Sequence, residues 1–103
     1  MSGQLKIIYP GGHTSTQIWA GKSQPPLKML QDAVEGYIER VKVRFEGRVR
    51  DAYVNEDGIS KGFQVNPQAC RLVSGTIFEG STIVGPLAIW IPDAKAKPVD
   101  RSN

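Results

Sequence analysis

Residues 36–55 read GYIERVKVRFEGRVRDAYVN, and the fold turns on them. Tyr37, Val41, Val43 and Phe45 take odd positions, while Arg40, Lys42 and Arg44 take even ones. A period of two is that of a strand, whose successive side chains point to opposite faces. Glu46-Gly47 is a short turn, and Arg48 to Asn55 returns with Val49 and Tyr53 in phase. The stretch predicts an antiparallel pair of strands.

Upstream, Pro25-Pro26 sets up a helix start. Leu27, Leu30 and Val34 then recur at the i, i+3, i+7 spacing that lines one helix face, with Lys28, Gln31, Asp32 and Glu35 on the other side. Gly36 suits the C-cap, where a left-handed backbone costs glycine nothing. Earlier still, Leu5, Ile7 and Tyr9 alternate with Lys6 and Ile8, Pro10-Gly11-Gly12 turns the chain, and Thr14 to Trp19 supplies β-branched and aromatic residues for a second strand. The first twenty residues therefore read as a hairpin, followed by a loop from Ala20 to Gln24.

Downstream, Asn55-Glu56-Asp57-Gly58 is a turn, because Asn and Asp bond their own backbone and Gly supplies positive φ. Asn66-Pro67 matches an N-cap followed by proline in the first helical position, opening a short helix to about Leu72. Thr82 to Ile91 is dense in Ile, Val, Leu and Trp, the composition of a strand buried on both faces at the sheet centre. Strands before and after helices give an α+β fold: a mostly antiparallel sheet packed with one main helix and one short helix. Residues 1–92 are expected to form one domain, and 93–103, with almost nothing apolar, a frayed tail.

Composition narrows the chemistry. The 103 residues hold 13 Lys+Arg, 10 Asp+Glu, one His and one Cys, for a net charge of +3. One domain is the size expected. A lone Cys70 cannot form an internal disulfide and leaves a zinc or iron–sulfur centre almost without ligands, so no cofactor and no metal are expected. No apolar run reaches membrane-helix length and no export signal precedes the first strand, so a cytoplasmic protein without a membrane partner is expected. The positive sign disfavours mimicry of DNA and favours anionic partners.

Five cations, Arg40, Lys42, Arg44, Arg48 and Arg50, fall within eleven positions on two strands that pair. As a stripe they would grip phosphates, with salt-dependent affinity. As a solvated face they would only keep the sheet soluble and its edge unpaired. The aromatics between them are too few for a stacking platform. Pro10-Gly11-Gly12-His13-Thr14 lacks the Lys-Ser/Thr ending of a phosphate loop. His13 has no nucleophile or carboxylate tied to it by spacing, Cys70 reads as a small buried hydrophobe, and Asn55 to Asp57 lack the alternating carboxylates of a calcium loop. Trp19 and Trp90 are expected in the core or at an interface. Catalysis by Glu39 or His13 would need a partner group that the sequence does not locate, so the chain reads as a binder rather than an enzyme.

Leu27…Leu30-Gln31…Val34-Glu35-Gly36-Tyr37-Ile38-Glu39, then Val54-Asn55-Glu56-Asp57-Gly58, Lys61-Gly62…Asn66 and Ile83-Val84-Gly85-Pro86, resemble in order and spacing the family labelled domain of unknown function 3846. The resemblance spans about two-thirds of the chain. It implies an accessory protein of the kind carried by bacteriophages, plasmids and bacteria, acting in the host cytoplasm on host physiology or defence. The basic segment from Arg40 to Arg50 and the long lead-in from Pro10 to Pro26 depart from the pattern. Within the shared signature, Gly36, Asn55 to Gly58 and Asn66 are explained by caps and turns. The functional alternative is that Tyr37, Glu39, Asn55, Lys61 and Asn66 converge at one sheet edge as a polar pocket. The expectation is a homo-oligomeric binder that sequesters an anionic ligand such as a nucleotide signal, or blocks a host defence protein. The alternative is nucleic-acid binding through residues 40–50.

Overall fold

The computed structural model describes residues 3–19 and 24–92, so most of the expected loop from Ala20 and the whole expected tail lie outside the described residues. The chain runs β1 (Gly3–Ile8), β2 (Thr14–Trp19), α1 (Leu27–Val34), β3 (Ile38–Phe45), β4 (Arg48–Asn55), α2 (Pro67–Leu72) and β5 (Leu87–Ile91). The strands form one sheet in the order β2-β1-β5-β4-β3, every neighbouring pair antiparallel. This is the expected α+β class, with one main helix and one short helix on the sheet. None of the described helices is long and apolar enough to cross a membrane.

The helices cover opposite faces. Leu5, Ile7, Tyr53, Ala88 and Trp90 pack with Leu30, Ala33 and Val34 of α1. Ile8, Val41, Val43, Ala52, Val54, Leu87, Ile89 and Ile91 pack with Ala69 of α2 and with Val73 and Ile83. Strand β5 therefore alternates between two cores, which is why all five of its residues are buried and its sequence shows no polar period. Fully burying a side chain such as Ile89 stabilises by about 1.5–3 kcal/mol.

Several boundaries differ from the sequence reading. The final strand begins at Leu87 rather than Thr82: Gly85 has φ +74° and Pro86 follows it, so the chain bends before entering the sheet. Val84, before the bend, makes an isolated bridge to Val65. The left-handed residue ending α1 is Glu35 (φ 66°), not Gly36. Gly36 is needed for space, since a Cβ there would sit 2.6 Å from Asn55 Nδ2. Tyr37 precedes the strand and is exposed, and Val49, in phase with Tyr53, is exposed because the α1 layer does not extend over it. Cys70 is half-buried, its Sγ accepting the Ile83 N–H at 3.3 Å.

Candidate functional site

The β3–β4 register decides where the cations go. Arg40 lies opposite Tyr53, Lys42 opposite Asp51 and Arg44 opposite Val49, whereas Arg48 faces Phe45 and Arg50 faces Val43. Cross-strand partners share a face. The two-residue turn Glu46-Gly47 sets even-numbered positions of β4 against odd-numbered positions of β3. Arg40, Lys42 and Arg44 therefore emerge on the α1 side, and Arg48 and Arg50 on the α2 side. A single five-residue stripe does not form; the cations instead surround the end of the hairpin from both faces.

Each cation has its own surroundings. The Lys42 ammonium contacts Asp51 Oδ1 at 2.5 Å, a half-exposed pair. The Arg44 stem crosses the sheet edge to Gly75, whose absent Cβ would meet its Cδ at 2.8 Å. Arg50 Nε donates to the Phe45 carbonyl at 3.2 Å. Lys6, which the sequence reading passed over, holds its Nζ 6.0 Å from the centre of the Phe45 ring. Arg40 borders a different hollow, beside Gln24, Ile38 and Tyr53. There the Tyr53 hydroxyl, donating to Gln24 Oε1 at 2.8 Å, is pushed above the ordinary tyrosine range by burial and then by the Asp51 charge, with Arg40 opposing.

Strands β4 and β5 pair only at Ala52–Ile89 and Tyr53–Ala88. Near the end of that ladder a cavity of about 290 Å³ is bordered by Lys42, Arg48, Arg50, Asp51, Trp90 and Pro92. Lys42 and Asp51, paired with each other, border it from the α1 side, and Arg48 and Arg50 border it from strand positions whose side chains emerge on the α2 side. Among the described residues neither Arg48 nor Arg50 has a carboxylate within ion-pairing distance. A border with three cations to one carboxylate attracts an anion; the Trp90 ring itself lies over Gly3 of β1.

The expected pocket of Tyr37, Glu39, Asn55, Lys61 and Asn66 is divided. Tyr37 and Lys61 border a cavity of about 550 Å³ with Asp32, Glu35 and Asp57. Glu39 and Asn55 border one of about 340 Å³ with Glu56 and Asp57. Carboxylates outnumber the single lysine, so both hollows repel anions. Asn66 belongs to neither, being wholly buried at the start of α2. Asn55 is likewise structural: its Nδ2 donates to the Val34 and Glu35 carbonyls at 3.1 Å, and its Oδ1 accepts the Asp57 N–H at 2.7 Å.

Among the described residues, no group of three His, Cys, Asp or Glu side chains is placed to hold a metal ion. His13 is exposed and stacks on Tyr9 with ring centres 4.4 Å apart. Sequence reasoning missed Trp90 and Asp51 as site residues because the cavity is bordered by β4 and the end of β5, strands far apart in the chain. No protein-family model matches the chain, and neither a curated protein nor a solved structure matches it significantly.

Proposed function

We propose that the chain is a small non-enzymatic binding protein that captures a compact anionic ligand, such as a nucleotide signal, between β4 and the end of β5. The observation that carries this reading is the charge of the cavity border, Lys42, Arg48 and Arg50 with the single carboxylate of Asp51. Charge-assisted hydrogen bonds from arginine suit phosphate oxygens, and arginine presents its donors as a rigid fork. The resemblance in sequence to the domain of unknown function 3846 family adds the setting, a phage-type accessory protein that withholds its ligand from a host defence pathway in the bacterial cytoplasm.

A second reading, nucleic-acid binding, is favoured by the cations that emerge on both faces of the hairpin end, since Arg40, Arg44 and Lys6 lie outside the cavity lining. Calorimetric titration with cyclic and linear nucleotides, and with short single- and double-stranded nucleic acids, separates the two. Saturable binding of a nucleotide that disappears in Arg48→Ala/Arg50→Ala and survives in Lys61→Ala supports the first. Absence of nucleotide binding, with affinity for the polymers that falls steeply with salt, replaces it with the second. Binding of neither overturns both.

A further inference from the structure

We infer that β2 is a self-association edge, and that two copies of the chain join through it into one continuous ten-stranded sheet.

Strand β2 is an edge strand of six residues, Thr14 to Trp19, with neither a charge nor a proline. Five of the six are exposed, Ile18 at 61%. Edge strands are ordinarily blunted by charges, prolines, bulges or a covering element, and β2 carries none of these among the described residues. The opposite edge, β3, is guarded. It carries Glu39, Arg40, Lys42 and Arg44, the Arg44 stem crosses it to Gly75, and the Thr76 hydroxyl lies 3.3 Å from the outward Lys42 carbonyl.

The hairpin geometry shows which β2 backbone groups are free. Tyr9 N–H bonds the His13 carbonyl at 3.0 Å, and Gly12, with φ +97°, closes the turn by bonding Tyr9. Tyr9 and His13 are therefore a hydrogen-bonded pair. Alternation along an antiparallel ladder makes Ser15, Gln17 and Trp19 bond to β1 and turns Thr14, Thr16 and Ile18 outward. These outward N–H and C=O groups set the register of a second copy. A two-fold axis at Thr16 places Thr16 against Thr16 of the other copy and Thr14 against its Ile18, so each outward group on both strands finds a partner. It also keeps side-chain faces matched, because each pair has like parity.

Charge and closure favour a second copy as the occupant. A neutral edge meets its twin without repulsion: the five hairpin cations lie at the other side of the sheet, and Lys6, opposite Thr16 on β1, sends its ammonium to the Phe45 ring on β3. In the joined sheet β4 and its counterpart are seven strand spacings apart, about 34 Å, several Debye lengths at physiological salt. Because β3 is guarded, the sheet cannot extend further, and the contact closes as an isologous dimer rather than a fibre. The two β4–β5 cavities then lie toward opposite ends, so the dimer does not depend on what those cavities bind.

Sedimentation tests this directly. The wild-type chain is expected at twice its 11.3 kDa mass. Thr16→Lys, which sets two ammonium groups against each other at the axis, is expected as a monomer with unchanged circular dichroism. In a Cys70→Ala background, a mixture of Ser15→Cys chains and Gln17→Cys chains is expected to form covalent dimers on oxidation, and either chain alone is not. A monomeric wild type, a dimer that survives Thr16→Lys, or a mixture that stays uncrosslinked overturns the inference.

Discussion

Asn66 Nδ2 donates to the carbonyl of Ile8 at 2.9 Å, across 58 positions of sequence. The same amide donates to the Gly85 carbonyl at 2.9 Å, and its Oδ1 accepts the Ala69 N–H at 3.2 Å as the cap of α2. One wholly buried side chain thus ties the end of β1, the start of the short helix and the bend before β5.

Removing that side chain leaves α2 uncapped and the Gly85 carbonyl without its side-chain donor, and takes from the Ile8 carbonyl a second donor beside its ladder partner Leu87. Asn66→Ala is expected to cost about 2–4 kcal/mol, combining the loss of a cap with one acceptor left without its donor. Asn66→Asp keeps the cap acceptor but sets a carboxylate against both carbonyls, and is expected to be similarly unstable at neutral pH. Urea unfolding measures both, and a loss below 1 kcal/mol in Asn66→Ala would contradict this role.

Glu35 ends α1 with φ 66°, a conformation that costs a residue with a Cβ more than glycine. Glu35→Gly is expected to stabilise the fold by about 0.5–1 kcal/mol despite the added freedom of the unfolded chain. Gly36→Ala, meeting Asn55 and Lys61, is expected to destabilise it. Thermal unfolding of the two variants should move in opposite directions.

At the proposed site, Arg48→Ala or Arg50→Ala is expected to weaken anion binding roughly tenfold to a hundredfold, the worth of a charge-assisted hydrogen bond. Asp51→Asn has the opposite sign: it removes the carboxylate of the lining and frees Lys42, so affinity rises. The half-exposed pair contributes about 0.5 kcal/mol or less to stability, so the variant remains folded. Calorimetry with the tightest nucleotide of the panel reads both effects.

Tyr53 provides a test by pH. Its folded-state pKa is raised, by burial first and by Asp51 second, so the folded state holds the proton more tightly than the unfolded chain. The associated stability is fully present below the ordinary tyrosine pKa of about 10 and is lost as pH rises through the higher folded value. Wild-type stability is expected to fall more steeply above pH 10 than that of Tyr53→Phe, whose stability at neutral pH is lower by about 1 kcal/mol for the lost bond to Gln24. Parallel curves for the two proteins would exclude the contribution.

Local patterns settled the elements. The period of two in residues 38–45, the Asn55 to Gly58 turn, the Asn66-Pro67 helix start and the apolar run ending at Ile91 each depend on neighbours a few residues away, and each appears in the fold, although Gly58 supplies space rather than the expected positive φ, a Cβ there meeting Val84 at 2.7 Å. The central place of β5 was legible too, since an unbroken apolar strand needs cover on both faces.

The site was not legible in the same way. The sequence determined that five cations crowd into one hairpin. The register across Glu46-Gly47 decided that they divide between two faces, because shifting one strand by a single residue reverses every side chain on it. The pairing of β4 with β5 decided that three of those cations border one cavity with Asp51 and Trp90, and the insertion of β5 between β1 and β4 decided that β2 is left at the edge. Such facts arise from pairing between distant segments, and local residue preferences carry no information about that pairing.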